Sequence, residues 1–333
     1  MKTTSVLIQT LCVPCHNRCR YCLLSWDGRA LGADWDRSVR LAERYLKELR
    51  ERCPEISGSF SFGYSMEHPD LRGAIRTLRR LGSPTADFLQ CDGMKQRSEG
   101  ECAGLMDMLR EEGIRQLNFT VYGLEAYHDR FAGRKGDYAL LLRMMGAART
   151  AGLPFTTGIP LTAENHAEAG ELVGRLLDAG SERVFLTIPH EEGRGKQLSG
   201  VRLSLREFLG LSPQVRALLN RQLYRTEGEW LAEPVAVRQE RRMLLISLRP
   251  ENIGAYEERD ALSVIRELEG LDEAYYAAFP TFRELAALYG DPEGERLYRS
   301  GDLFAHYRAQ YALEHGIRVY DVTDERQSGS RRS

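Results

Sequence analysis

The run SVLIQTL at residues 5–11, continued by CVPCHNRCRYC at residues 12–22, governs the reading of this chain. Its first half is a short apolar run bounded by polar residues, which predicts a β-strand. Its second half packs Cys12, Cys15, Cys19 and Cys22 into one short loop. The remaining cysteines are Cys53, Cys91 and Cys102, and none follows Cys102. Any metal held by thiols is therefore confined to the N-terminal third.

Outward from that loop the same theme recurs: an apolar run, a turn, then a helix-spaced segment. Residues 37–53, 70–82, 99–113, 138–152 and 166–180 have the spacing of helices that bury one face. Residues 57–65, 86–93, 115–123, 154–162 and 183–190 read as the intervening strands. Strands alternating with helices imply a parallel sheet with right-handed crossovers. The fold class is therefore α/β, a partial (β/α)6 TIM-like barrel, with a doubly wound sheet as the alternative. In both, function collects at the C-terminal ends of the strands, where the cysteine loop stands.

The expected organisation is a barrel over residues 1–200 and a smaller α-rich region over 201–325 that shapes the substrate pocket. The tail 326–333 is expected to be disordered. Residues 212–224, 258–279 and 282–290 read as helices of that second region, and 241–248 and 317–323 as strands. Residues 272–282 and 298–307 are rich in aromatic and acidic side chains, a pattern that suits helix packing or a substrate groove.

The chain has 333 residues, of which 42% are hydrophobic and 28% charged, as in folded soluble proteins. Its formal net charge of −2 provides no field for nucleic acid or an anionic membrane, and neither partner is expected. No apolar run is long enough to cross a membrane or act as a signal peptide, so a cytoplasmic location is expected. In that reducing compartment the cysteines are not expected to form disulfides.

Several chemistries compete for the cysteine loop. Zinc favours two cysteine pairs set well apart, and no second pair exists here. A dithiol redox pair needs only two of the four thiols. Idle, buried thiols are the plain alternative. Three thiolates spaced Cys15-x3-Cys19-x2-Cys22 suit three irons of a four-iron cluster and leave the fourth iron open to a small molecule. Cys12 is then an ordinary core thiol.

That C-x3-C-x2-C spacing, with Tyr21 before the last cysteine and on the loop after the first strand, resembles the signature of radical S-adenosylmethionine (radical SAM) enzymes. The resemblance covers about residues 5–200 and is similar to the branch related to SPASM-type peptide maturases, without its cysteine-rich C-terminal extension. It implies a 4Fe–4S cluster on Cys15, Cys19 and Cys22, with S-adenosylmethionine on the open iron. One electron then releases a 5′-deoxyadenosyl radical that abstracts a hydrogen atom from the substrate.

The resemblance also implies cofactor contacts. Tyr21 would wall the adenine. FGYSMEHPDL at 62–71 resembles the second-strand motif, placing Gly63 at its glycine and Tyr64 where a glutamate is usual, with Glu67 or the Tyr64 hydroxyl as its substitute and Glu67 otherwise a helix-capping acid. QCDGM at 90–94 offers Asp92, either toward the cofactor or in a turn with Gly93. Residues 120–138, with a His-Asp pair and a Gly-Arg-x-Gly, resemble the fourth-strand segment; Thr120 and Tyr122 replace the small polar and acidic residues expected there. Asn165 and Arg194 end the fifth and sixth strands, Asn165 otherwise an N-cap and Arg194 otherwise a loop arginine. Tyr64, Cys91 and Tyr122 are candidate hydrogen-atom donors to a substrate radical.

The implied activity is radical hydrogen abstraction on a peptide, as in ribosomally made modified peptides, or on a small natural product. A flavodoxin or ferredoxin system would supply electrons. The product, whether by peptide modification, epimerisation or another rearrangement, is open. The alternatives are a glycyl-radical activase and a non-catalytic zinc or iron–sulfur module.

Overall fold

The computed structural model describes residues 3–11, 15–23, 32–63, 65–83, 86–234 and 243–319. Cys12, Tyr64 and the expected disordered tail lie outside the described residues.

The chain opens with β1 (Ser5–Leu11), α1 (Trp35–Arg52), β2 (Ser57–Gly63), α2 (Leu71–Arg80), β3 (Phe88–Gln90) and α3 (Glu99–Glu111). It continues through β4 (Gln116–Thr120), α4 (Glu125–Ala132), α5 (Asp137–Ala151), β5 (Phe155–Pro160), α6 (Ala169–Asp178) and β6 (Arg183–Thr187). Each predicted strand and helix of this part is present, with trimmed ends, and α4 is added. The trimming follows from the physics of termini. The strand-like runs outlast the ladder because their last residues leave the sheet to make the turns.

Beyond residue 200 follow α7 (Leu205–Gly210), α8 (Pro213–Arg216), β7 (Arg225–Thr226), α9 (Glu227–Ala232) and β8 (Met243–Leu248). Then come α10 (Ile253–Glu257), α11 (Ala261–Ala277), α12 (Phe282–Tyr289), β9 (Leu297–Tyr298) and α13 (Ser300–His315). Residues 317–319, the described start of a run read as a strand, carry no ladder.

The main strands pair in parallel in two ladders, β2-β1-β8 and β3-β4-β5-β6. This is the expected mixed α/β architecture on a parallel sheet. Every residue of β5 is buried, as a parallel strand covered on both faces should be. α1 shows how the helices cover the sheet. Val39, Ala42, Leu46 and Leu49 fall on one face and are all buried. Its start is capped by Asp34, whose carboxylate accepts the Arg37 N–H at 2.9 Å.

One strand ignores the change of rhythm at residue 200. β8 lies parallel to β1, with Leu7 opposite Leu245 and Thr10 opposite Leu248. The region read as a separate, α-rich unit thus adds a strand beside the one that carries the cysteine loop. Its helices are fastened to α1 as well: the Arg44 guanidinium donates to the carbonyls of Tyr256, Glu257 and Arg259, and Tyr45 Oη donates to Tyr256 O at 2.8 Å.

The aromatic segments of this region pack among themselves. Trp230, Phe282, Tyr298, Phe304 and Tyr307 share one small core, and Tyr275 and Phe279 another. α13 reaches the sheet through Asp302, which accepts from the Glu191 N–H at 3.1 Å and contacts His190 Nδ1 at 3.1 Å, just past the end of β6.

Candidate active site

The strands end in parallel, so their following loops gather on one side, and the cysteine loop lies across them. Its backbone is hydrogen-bonded to segments from three places in the chain. His16 N–H donates to Gly93 O at 2.8 Å, beyond β3. Arg18 and Arg20 donate to Ala132 and Phe131 at 2.7 and 3.0 Å, at the end of α4. Cys22 O accepts the Arg194 N–H at 3.0 Å, beyond β6.

Glycines permit this closeness. A Cβ at Gly93 would stand 2.2 Å from Cys15 Sγ, and one at Gly133 would stand 2.8 Å from Arg18 Cβ. A Cβ at Gly193 would meet Cys22 O at 2.4 Å. All three glycines have φ between 54° and 67°, so both their conformation and their neighbours require the missing side chain. Loops from three separate places in the sequence therefore form a cradle cut to this one segment.

Cys15, Cys19 and Cys22 are partly buried in that cradle. Burial pushes the Cys15 thiol up to about 11, helped by the neighbouring Cys22 and Asp92. Burial raises Cys19 as well, against the hydrogen bond from Tyr122 that favours its thiolate. A bare thiolate is disfavoured at both positions, and a bound cation removes that penalty. Among the described residues no three His, Cys, Asp or Glu side chains already converge at metal-ligand distance. Metal binding would have to draw the loop's sulfurs together.

A buried polar network stands behind the loop. Tyr122 Oη donates to Cys19 Sγ at 3.1 Å. The Tyr122 N–H donates to His128 Nδ1 at 3.0 Å, which leaves the imidazole proton on Nε2, facing Asp137 Oδ2 at 3.0 Å. The same Asp137 oxygen accepts from Asn17 Nδ2 at 2.8 Å, inside the cysteine loop, and Arg134 pairs with the other. Burial alone would raise the Asp137 carboxyl; the bonds from His128 and Arg134 outweigh it and hold it below the usual range.

The remaining candidates are placed as follows. Tyr21 sets its ring edge-on to Tyr122 at 5.4 Å and against Phe131 at 5.8 Å. Gly63 ends β2 directly opposite Leu11, one residue before the cysteines begin. Glu67 pairs with Arg97 at 2.6 Å and accepts the Lys95 N–H at 3.0 Å. Asp92 accepts the Thr120 N–H and hydroxyl at 2.9 and 2.8 Å, tying the end of β3 to β4. Burial raises its carboxyl to about 6 despite those bonds. The Asn165 amide is fully used: it donates to Tyr122 O and Pro160 O at 2.5 and 2.9 Å and accepts the Thr162 N–H at 2.7 Å. Cys91 is fully buried beside β3, its thiol 3.8 Å from Leu89 O.

The profile described as Radical SAM superfamily matches residues 12–176, the cysteine loop and the strands that cradle it. Over those residues the chain belongs to the radical SAM superfamily. Radical SAM enzymes use a 4Fe–4S cluster and S-adenosylmethionine. No curated protein matches the chain. Among solved structures, Streptococcus suis SuiB bound to its precursor peptide SuiA is similar at 13% identity and TM-score 0.47, over 64% of this chain and 45% of SuiB. Escherichia coli HemN, a coproporphyrinogen III oxidase, is similar at 16% and 0.42, over 68% and 54%. The enzyme anSMEcpe with bound AdoMet is similar at 14% and 0.42, over 61% and 57%. The chain thus spans about half the length of these structures, and nothing about substrate passes from them to it.

The residues present suit the radical SAM cluster. The donors are soft thiols on one loop, and the cradle would be too tight for any residue but glycine at three points. Sequence reasoning named the cysteines but missed Asn17, His128 and Asp137 as their support. The His-Asp pair at 128–129 was a visible signal with a misleading partner. Asp129 in fact accepts the Gly136 and Tyr138 N–H groups at 2.5 and 2.9 Å and starts α5. His128 turns instead to Asp137, the first residue of α5, nine positions further on.

Proposed function

We propose that this chain is a radical SAM enzyme that abstracts a hydrogen atom from a peptide or small natural-product substrate. The observation that carries the proposal is the glycine-lined cradle around Cys15, Cys19 and Cys22 at the C-terminal ends of the strands. Those three thiolates would hold the 4Fe–4S cluster, and Cys12 would not be needed. When bound, the cluster supplies the electron that splits S-adenosylmethionine to a 5′-deoxyadenosyl radical.

The chain's own residues do the rest. The cradle fixes the loop backbone, and the rings of Tyr21, Tyr122 and Phe131 exclude water from its inner side, as a carbon radical requires. Asp92 and Thr120 lock together the ends of β3 and β4, while Asn165 fixes the turn after Tyr122. Among the described residues no helix is long and apolar enough to cross a membrane. Free thiols and an oxygen-sensitive cluster favour a reducing, cytoplasmic setting with a flavodoxin or ferredoxin as reductant. The packing of the C-terminal helices beside the end of β6 supports a role for them in shaping the substrate pocket.

The test is anaerobic reconstitution of the chain with iron and sulfide. The expected product carries about four irons and four sulfides per chain and yields 5′-deoxyadenosine once reduced with S-adenosylmethionine present. Serine at position 15, 19 or 22 should abolish cleavage, whereas Cys12→Ala should leave the iron content intact. Zinc without sulfide, or loss of iron only on changing Cys12, would overturn the proposal.

A further inference from the structure

We infer that the Tyr122 hydroxyl is a dedicated hydrogen-bond donor to the sulfur of Cys19 and sets how readily the cluster accepts its electron. The inference rests on the reading above, in which Cys19 is an iron ligand.

Tyr122 Oη stands 3.1 Å from Cys19 Sγ. A coordinated thiolate has no proton to give, so in this contact the phenol is the donor and the sulfur the acceptor, in competition with the neighbouring Tyr21 hydroxyl. The ring has no other place to go. It is 2% exposed, stacks on His128 at 4.9 Å, and meets Phe131 at 4.7 Å and the edge of Tyr21 at 5.4 Å. Its backbone is clamped on both sides, the N–H by His128 and the carbonyl by the Asn165 amide. His128 is in turn fixed by Asp137, which also holds Asn17 of the cysteine loop. One buried carboxylate therefore positions both the donor and the segment that carries the acceptor.

The consequence is electrostatic. A donor to a ligand sulfur draws charge from the iron–sulfur bond and stabilises the more negative, reduced cluster. On the face of the sulfur that meets Tyr122, itself 2% exposed, few solvent donors compete with it. The network thus acts as a positioning device for one proton, and its effect falls on the reduction potential of the cluster.

The experiment uses the full chain, reconstituted anaerobically without S-adenosylmethionine, and follows reduction by electron paramagnetic resonance at controlled potentials. Tyr122→Phe should keep wild-type iron and sulfide content and become about tenfold harder to reduce, which for a one-electron couple is about 59 mV more negative. 3-Fluorotyrosine at position 122 keeps the ring and strengthens the donor, so it should shift the potential the other way. It also serves as the second probe if the phenylalanine variant folds poorly. Potentials that do not move in either variant, or that move in the same direction in both, overturn the inference while leaving the cluster assignment standing. A wild-type chain that takes up no iron and sulfide overturns the functional reading and this inference together.

Discussion

Gly93→Ala isolates the cradle from the rest of the fold. Gly93 has φ +64°, a conformation that costs an alanine roughly 1–2 kcal/mol. The added methyl would also lie 2.2 Å from Cys15 Sγ and 3.3 Å from Cys15 Cβ. Ordinary contact begins near 3.5 Å, so the sulfur must retreat by about 1.3 Å. Rotating Cys15 about χ1 relieves the sulfur but leaves the Cβ contact tight and points the thiol away from its neighbours. Metal sites tolerate donor errors of only about 0.2 Å, so displacement on this scale should remove Cys15 as a ligand.

Gly82→Ala is the matched control. Its φ is +67° and nothing lies within 4 Å of the added methyl. It should pay the backbone penalty alone, losing roughly 1–2 kcal/mol in urea unfolding with full iron uptake. Gly93→Ala should show a comparable loss of stability together with iron content well below that of the control. Iron and sulfide analysis after anaerobic reconstitution decides the matter. Equal cluster content in the two variants would refute the claim that the turn after β3 is shaped to the Cys15 sulfur.

The Arg202 side chain is 3% exposed and joins Pro189 O, Leu297 O, Glu191 and Asp302 around the link between β6 and α13. Arg202→Met should leave the buried Glu191 and Asp302 carboxylates without their guanidinium and cost about 3–5 kcal/mol in denaturant unfolding; a loss below about 1 kcal/mol would contradict the reading. The Asp137 carboxyl is held below its usual value, so the folded state binds fewer protons there than the unfolded chain does. Its contribution is complete above the unfolded value of 3.8 and is lost as the pH falls through the lower folded value. Asp137→Asn should therefore cost about 2 kcal/mol or more near neutrality, and the gap from wild type should close below about pH 4. A gap independent of pH, followed by urea midpoints from pH 7 to 3, would argue against the charged network.

The elements of this chain were legible because their signals are local. SVLIQTL has a strand's composition, α1 has a helix's spacing, and three cysteines at short intervals mark a candidate ligand set wherever the loop lies. The strand at 243–248 was also visible, but its place was not. Pairing with β1 depends on contacts across more than two hundred residues, and no periodicity encodes a neighbour. The same holds for His128, whose adjacent Asp129 is the obvious partner in sequence, whereas the turn before α5 brings Asp137 to it instead. Gly93, Gly133 and Gly193 read as ordinary turn glycines; only the folded chain shows that each makes room for the cysteine loop. The sequence by itself determined the chemistry of the donors and the order of strands and helices. The tertiary structure decided what surrounds each donor, because burial, close approach and hydrogen-bond partners arise between segments that the chain brings together only on folding.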